Sequence, residues 1–374
     1  LKLLFVDASR NGWGTELHVV SLASALSDSG HSVSVVVKRD SLVAQLLTAR
    51  GIRTHVTKFR GGVDPRGVLT ILRAIHTEQP EWIITNREKL YWTVWVIGRL
   101  TRVRVALFRH MPDIRSWLTR CVLPYMVDQF FVVSEYAQRR LVAQGAPADR
   151  LAMLYNPIDV YRLHASVVKR VGIRDLFGIA ADDFVIGFVG RVELCKGVEV
   201  LWNAIVPLMV GVAQIRFLCV GEGAELIRLR RKAQEFGIGS RCHFVSWTPE
   251  IGEMYAAMDV LVAPSIEPET FGRVLAEAQA CLLPVIGTRM GGMEEAFAPN
   301  QSGLLVPAND HQSLQRAISR LHANPNLRLR FSQTGRQYVQ TKFAAHKIAA
   351  EFIAMITESV STPSPQLPLQ TSFE

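Results

Sequence analysis

One pattern limits the fold of this chain more than any other. Short runs of apolar, often β-branched residues alternate with stretches of helical spacing, and the alternation runs twice. "LKLLFVD" at 1–7 is followed by "ELHVVSLASALSDSG" at 16–30, where Leu17, Val20, Leu22 and Leu26 recur near the helical period before a Gly stop. "HSVSVVVK", "EWIIT", "VRVALFRH" and "QFFVVS" continue the first set. After the turn-rich "MLYNPIDVYRL" at 153–163 a second set begins: "FVIGFVGR", "IRFLCVGEG", "CHFVSW", "DVLVAPS", "LPVIGT" and "SGLLVP". Short apolar strands separated by helices imply parallel sheets covered on both faces. The expected fold class is therefore α/β, with two Rossmann-like doubly wound domains facing a central cleft. The expected divisions are residues 1–165, residues 166–342, a C-terminal helix over 343–360 that can cross back to the N-terminal domain, and a Pro/Ser-rich tail over 361–374 expected to be disordered.

The 374 residues suit two domains of ordinary size. No apolar run reaches the roughly 18 residues of a membrane span. The nearest, "YWTVWVIG" at 91–98, gives way at once to Arg99, Arg102 and Arg104, and "LKLLFVDASR" reads as a strand rather than a signal peptide. The five cysteines (Cys121, Cys195, Cys219, Cys242 and Cys281) are scattered and never in C-x-x-C spacing. That argues against a disulfide framework or a zinc site and for a reducing, cytoplasmic compartment. The net charge of +9 is uneven: residues 1–170 hold 24 Lys and Arg against 13 Asp and Glu, and the remainder is slightly acidic. Such asymmetry points to an anionic partner of the first half, and the absence of aromatic-basic interleaving argues against nucleic acid.

Open α/β sheets bind ligands outside the carboxyl ends of their strands. In the second half, "GFVGRVELCKGVEVL" leads from a strand into a helix and carries Arg191 and Lys196 between Gly190 and Gly197, which suits a diphosphate. "VGEG" at 220–223 offers glycines where a backbone can approach a nucleotide, with Glu222 between them as a donor-binding candidate. "PSIEPETFGRVLAEAQACLLPVIGT" at 264–288 holds Glu267, Glu269 and Glu277 in an otherwise apolar segment. A helix starting near Gly272 turns the amides of residues 271–273 towards the ligand and buries Glu277. That carboxylate needs a partner, and either the two hydroxyls of a ribose or a buried Arg would serve; the ribose is the expectation. In the first half, "NGWGTELH" is a near miss to G-x-G-x-x-G, with Leu17 at the third glycine, and "KRD" after the second strand would suit a 2′-phosphate. An NADP-dependent oxidoreductase therefore stays open, as does phosphate contact at Gly14. His110, at the end of "VRVALFRHMPD", sits where a strand end can present a base.

Taken in order, these motifs resemble the family-four retaining glycosyltransferases of the GT-B fold, over about residues 3 to 340. "GRVELCKG" looks like the family's G-R-x-x-x-x-K-G element, and Glu269 and Glu277 stand as its E-x7-E pair. "MGGMEEAF", "SGLLVPANDHQSL", "YNPID" and "VVSEYAQRRL" fit its remaining stretches. The resemblance implies a transferase of hexosyl type that moves a sugar from a UDP- or GDP-linked donor to a saccharide or lipid-linked saccharide acceptor in cell-surface glycan synthesis, lipopolysaccharide included. Arg191 and Lys196 would hold the diphosphate, Glu269 with the amides of Phe271 and Gly272 would orient the sugar, and Glu277 would bind the ribose. Gly14 would meet the phosphates from the acceptor-binding N-terminal domain, and His110 would lie near the reacting carbon. The sequence departs from the pattern at Trp13 in the first loop and at Leu282 in "CLLP".

With no D-x-D triplet, neither a metal nor any other cofactor is implied, and Arg191 and Lys196 can supply the electrostatic stabilisation. The basic first half can hold the enzyme on an anionic membrane surface, peripherally on its inner face. The competing readings are the NADP enzyme, a catalytically degenerate nucleotide-sugar or membrane-binding protein, and an inverting transferase of the same fold.

Overall fold

A computed structural model describes residues 1–9, 14–59, 61, 63–163 and 167–361. It divides into two units, Leu1–Pro157 with the segment from Ala345 onward, and Ile158–Ala344. The division falls at Pro157–Ile158, and the expected boundary at 165/166 lies outside the described residues. Of the expected tail at 361–374, Ser361 ends a helix and the rest lies outside the described residues.

The first unit is built on β1 (Lys2–Asp7), β2 (Ser32–Lys38), β3 (Arg53–Thr57), β4 (Trp82–Thr85), β5 (Arg104–Arg109), β6 (Gln129–Val132) and β7 (Ala152–Met153). They form one parallel sheet in the order β3-β2-β1-β4-β5-β6-β7. Successive side chains point to opposite faces, and here both faces are apolar. Leu3, Phe5, Val35, Trp82 and Phe108 enter one core, while Leu4, Val6, Val36, Ile83 and Leu107 enter the other. The helix Gly14–Asp28 covers the first face with Val19, Leu22 and Leu26. The terminal helix, Ala345–Ser361, lies on the same face through Ile348, Phe352 and Ile356, so this unit is completed by residues from the far end of the chain.

The second unit repeats the plan with β8 (Phe184–Val189), β9 (Ile215–Val220), β10 (Cys242–Val245), β11 (Val260–Ala263), β12 (Val285–Thr288) and β13 (Gly303–Val306). All are parallel, in the order β10-β9-β8-β11-β12-β13. In both sheets the winding direction reverses beside the first strand, between β1 and β4 and between β8 and β11. Connections there leave towards opposite faces, which opens a crevice at the carboxyl ends. Among the described residues, no helix is long and apolar enough to cross a membrane.

Candidate active site

The crevice of the second unit gathers most of the charged residues singled out above. After β8 the chain turns through Gly190, and the Arg191 guanidinium, about half exposed, donates to Glu193 Oε2 at 2.5 Å. Lys196 closes a short 3-10 turn, and Gly197 follows at φ 71° to open the helix Val198–Gly211. A Cβ on Gly197 would overlap the Pro264 carbonyl oxygen, so a glycine lets this turn rest on the end of β11. The Ile266 amide donates to the Cys195 carbonyl at 3.0 Å and fixes the same approach. The result is an ion pair, Lys196 Nζ to Glu269 Oε1 at 3.0 Å, with side chains 24% and 21% exposed. The Ser265 hydroxyl donates to the same carboxylate oxygen, and Thr288 Oγ1 holds the Ser265 carbonyl at 2.7 Å.

Glu269 is anchored through its backbone as well, since its carbonyl accepts from the Gly292 amide at 2.7 Å. Gly272, at φ 76°, then starts the helix Arg273–Ala280, close to where the sequence predicts it. Phe271 is buried, its ring edge-on to Phe343 with centroids 5.0 Å apart.

Two of the expected donor contacts have partners within the unit itself. Glu277 is only 5% exposed, but its burial does not require a ribose. Arg273 Nε donates to Oε1 at 2.7 Å and the Tyr255 hydroxyl to Oε2 at 3.1 Å, so the domain itself compensates the charge. Burial and then the adjacent Glu277 carboxylate push the Tyr255 hydroxyl well above the ordinary tyrosine range, which keeps it a donor. The "VGEG" glycines are demanded by the backbone around them. A Cβ on Gly221 would overlap the Gly190 carbonyl, and one on Gly223 the Val192 carbonyl. Glu222 itself is exposed, and its carbonyl accepts from the Val192 amide at 2.8 Å.

In the first unit Gly14 is the exposed first residue of its helix; Trp13 and the rest of the "NGWG" loop before it lie outside the described residues. His110 is half-buried at the end of β5, and it is not a lone histidine. His18, fully buried, meets it edge-on with ring centroids 4.5 Å apart, and His18 Nδ1 lies 3.1 Å from Asn156 Oδ1. At the β1/β4 crevice, the Ser9 amide donates to Asp7 Oδ1 at 2.7 Å and Arg87 Nη1 to Glu16 Oε1 at 3.0 Å. Asp7 and Glu16 are buried. Burial, and then the Asp7 carboxylate, push the Glu16 carboxyl up to about 7, against the pull of Arg87.

Sequence reasoning missed Glu193, Ser265, Arg273, Tyr255, His18 and Glu16. Only Arg273 left a signal: its i,i+4 spacing to Glu277 on one helix. Among the described residues no three His, Cys, Asp or Glu side chains gather as a cation site.

Comparison with known proteins decides the family. Residues 13–162 match the model described as Glycosyltransferase Family 4, and residues 173–338 match the one described as Glycosyl transferases group 1. The chain belongs to the family-four, group 1 glycosyltransferases. A D-inositol 3-phosphate glycosyltransferase of Saccharomonospora viridis is 33% identical over 233 residues, 56% of this chain and 53% of that protein. The chain thus spans about half the length of curated relatives such as this one. Among solved structures, Anabaena HepE in complex with UDP superposes with a TM-score of 0.82 at 21% identity, covering 96% of this chain and 100% of that one. WaaG, a glycosyltransferase involved in lipopolysaccharide biosynthesis, superposes at 0.67 with 16% identity, covering 95% and 99%. These likenesses establish the GT-B fold class of two Rossmann-like units.

Proposed function

We propose that this chain transfers a hexosyl group from a nucleoside-diphosphate sugar to a saccharide or lipid-linked saccharide acceptor of a cell-surface glycan, with retention of configuration and without a metal. The observation that carries this reading is the Lys196–Glu269 pair with Arg191 beside it at the β8/β11 crevice. Two cations there suit a diphosphate, and a carboxylate held by lysine and serine suits a sugar hydroxyl. UDP is the favoured nucleotide, because HepE was crystallised with UDP and with UDP-glucose. WaaG supports the glycan class of the acceptor, and the relatives named for D-inositol 3-phosphate add a phosphorylated polyol to the panel to be tested.

In this reading the acceptor oxygen bonds to the anomeric carbon on the face from which the nucleotide leaves. The bond from that carbon to the phosphate oxygen breaks, and the hydroxyl proton passes to the departing phosphate. Lys196 and Arg191 neutralise the charge that develops there, exchanging their internal partners Glu269 and Glu193 for the diphosphate. Gly14, His110, the Phe271 and Gly272 amides and Glu277 keep the roles that the resemblance implies, and Glu222 stays a donor-binding candidate.

The test is thermal unfolding against UDP, GDP, ADP, their sugar conjugates and NADPH. A ligand at 100 times its Kd stabilises by about 2.7 kcal/mol. A shift with UDP that is lost in Lys196→Ala supports the reading; a shift with NADPH alone overturns it. Product anomer analysis separates retention from inversion.

A further inference from the structure

The buried His18 has a task that the packing of its helix does not explain. It belongs to the helix Gly14–Asp28, whose Val19, Leu22 and Leu26 fill the core, and it is itself wholly buried. An imidazole costs more to bury than an aliphatic side chain unless its nitrogens find partners. Here Nδ1 lies 3.1 Å from Oδ1 of Asn156, a buried residue of the "YNPID" stretch. An amide oxygen only accepts, so His18 Nδ1 carries the proton and donates. That bond lies in the plane of the imidazole and therefore fixes how the ring is turned.

The ring held in this way touches two others. Its centroid is 4.7 Å from that of Phe108 and 4.5 Å from that of His110, which it meets edge-on at 75°. Phe108, two residues before His110, lies within 23° of parallel to it at 6.4 Å. Phe131 at 4.7 Å and Phe352 of the terminal helix at 5.8 Å support Phe108 in turn. His110, half-buried just past β5, is the end of this row of rings. Edge-on ring contacts are directional, so the turn of one ring constrains the next. A tether between the helix and "YNPID" would need no ring, and a packed core would need no nitrogen. Both together set an orientation.

We infer that His18 is a positioning residue for His110: Asn156 fixes the plane of the His18 imidazole, and that plane fixes the His110 ring at the carboxyl end of β5. The inference rests on the reading above for what His110 does, and on the geometry alone for how His110 is held.

NMR of the full chain, isotope-labelled at its histidine ring nitrogens, tests the geometry. His18 is expected in the form protonated at Nδ1. Asn156→Ala removes the acceptor and His18→Phe keeps a ring without the donor, so each should shift the His110 ring resonances. Asn156→Asp keeps an acceptor oxygen and should leave them near their wild-type positions. Hydrolysis of UDP-glucose tests the consequence. His18→Phe and Asn156→Ala should lower kcat about tenfold or more with a donor KM within about twofold of the wild type, while the stabilisation by UDP persists and shows a folded chain. In a His110→Ala background neither change should lower kcat further, because its effect passes through His110. Equal losses in both backgrounds, or His110 resonances that do not move, overturn the proposal. Full turnover by His110→Ala itself would instead remove His110 from the reading above, and the spectra would still decide whether His18 holds it.

Discussion

The two crevices of this molecule share one strand order and treat their charges in opposite ways. At β8/β11 the ion pairs Arg191–Glu193 and Lys196–Glu269 stay partly open to solvent, so an incoming diphosphate can exchange for the carboxylates. At β1/β4 the carboxyls of Asp7 and Glu16 are buried together, and Glu16 responds by holding its proton to about pH 7. The same winding reversal therefore yields a displaceable charge cluster in one unit and a buried, proton-linked one in the other. Topology says where polar residues converge; local burial decides what they can do.

The largest effect that would break this contrast lies inside the second unit. Glu277→Ala strips Arg273 of its buried carboxylate partner and should cost about 3–5 kcal/mol, read by urea unfolding. A loss below 1 kcal/mol would mean that the pair is not structural. Lys196→Ala should lower turnover by roughly 10²–10³, in the range found for removal of a transition-state charge contact, and change stability little because the lysine is part-exposed. An unchanged rate would remove the phosphate assignment.

The buried cluster of the first unit predicts a pH dependence. The Glu16 pKa is raised from 4.5 to about 7, so its favourable contribution is complete below pH 4.5 and lost as pH rises through 7. Between those values the folded chain binds more protons than the unfolded one, and stability falls by roughly 3 kcal/mol from this group. Glu16→Gln should flatten that slope and be relatively more stable at pH 8; an identical pH profile would refute the buried proton. The smallest effect is expected at exposed Glu222. Glu222→Ala should leave stability within about 0.5 kcal/mol, and only a rise in the donor KM would mark it as a contact.

Much of the second unit was legible because its signals are local. Arg191, Lys196, Glu269 and Gly272 lie just past strand ends, and the turn glycines mark those ends directly. The partners were harder to read. Glu193 and Ser265 are ordinary residue types in loops, and nothing in the chain announces that Tyr255 reaches Glu277 from another helix. The β1/β4 cluster was less legible still, because Asp7, Glu16 and Arg87 come from three distant segments. His18 looks like any polar residue on a helix until the fold sets it against His110 and Asn156. The glycines of "VGEG" show that a local motif which suggests a ligand can also answer a demand of the neighbouring backbone, which the sequence does not display.

By itself the sequence determined the two parallel-sheet units and the strand ends that carry charge, because apolar runs buried on both faces and glycines at tight turns are written residue by residue. Only the tertiary structure decided which carboxylates are paired, which are buried with a proton, and that the helix at Ala345–Ser361 completes the first unit. Those outcomes depend on desolvation and on contacts between residues far apart in the chain, and both come into being only when the sheets assemble.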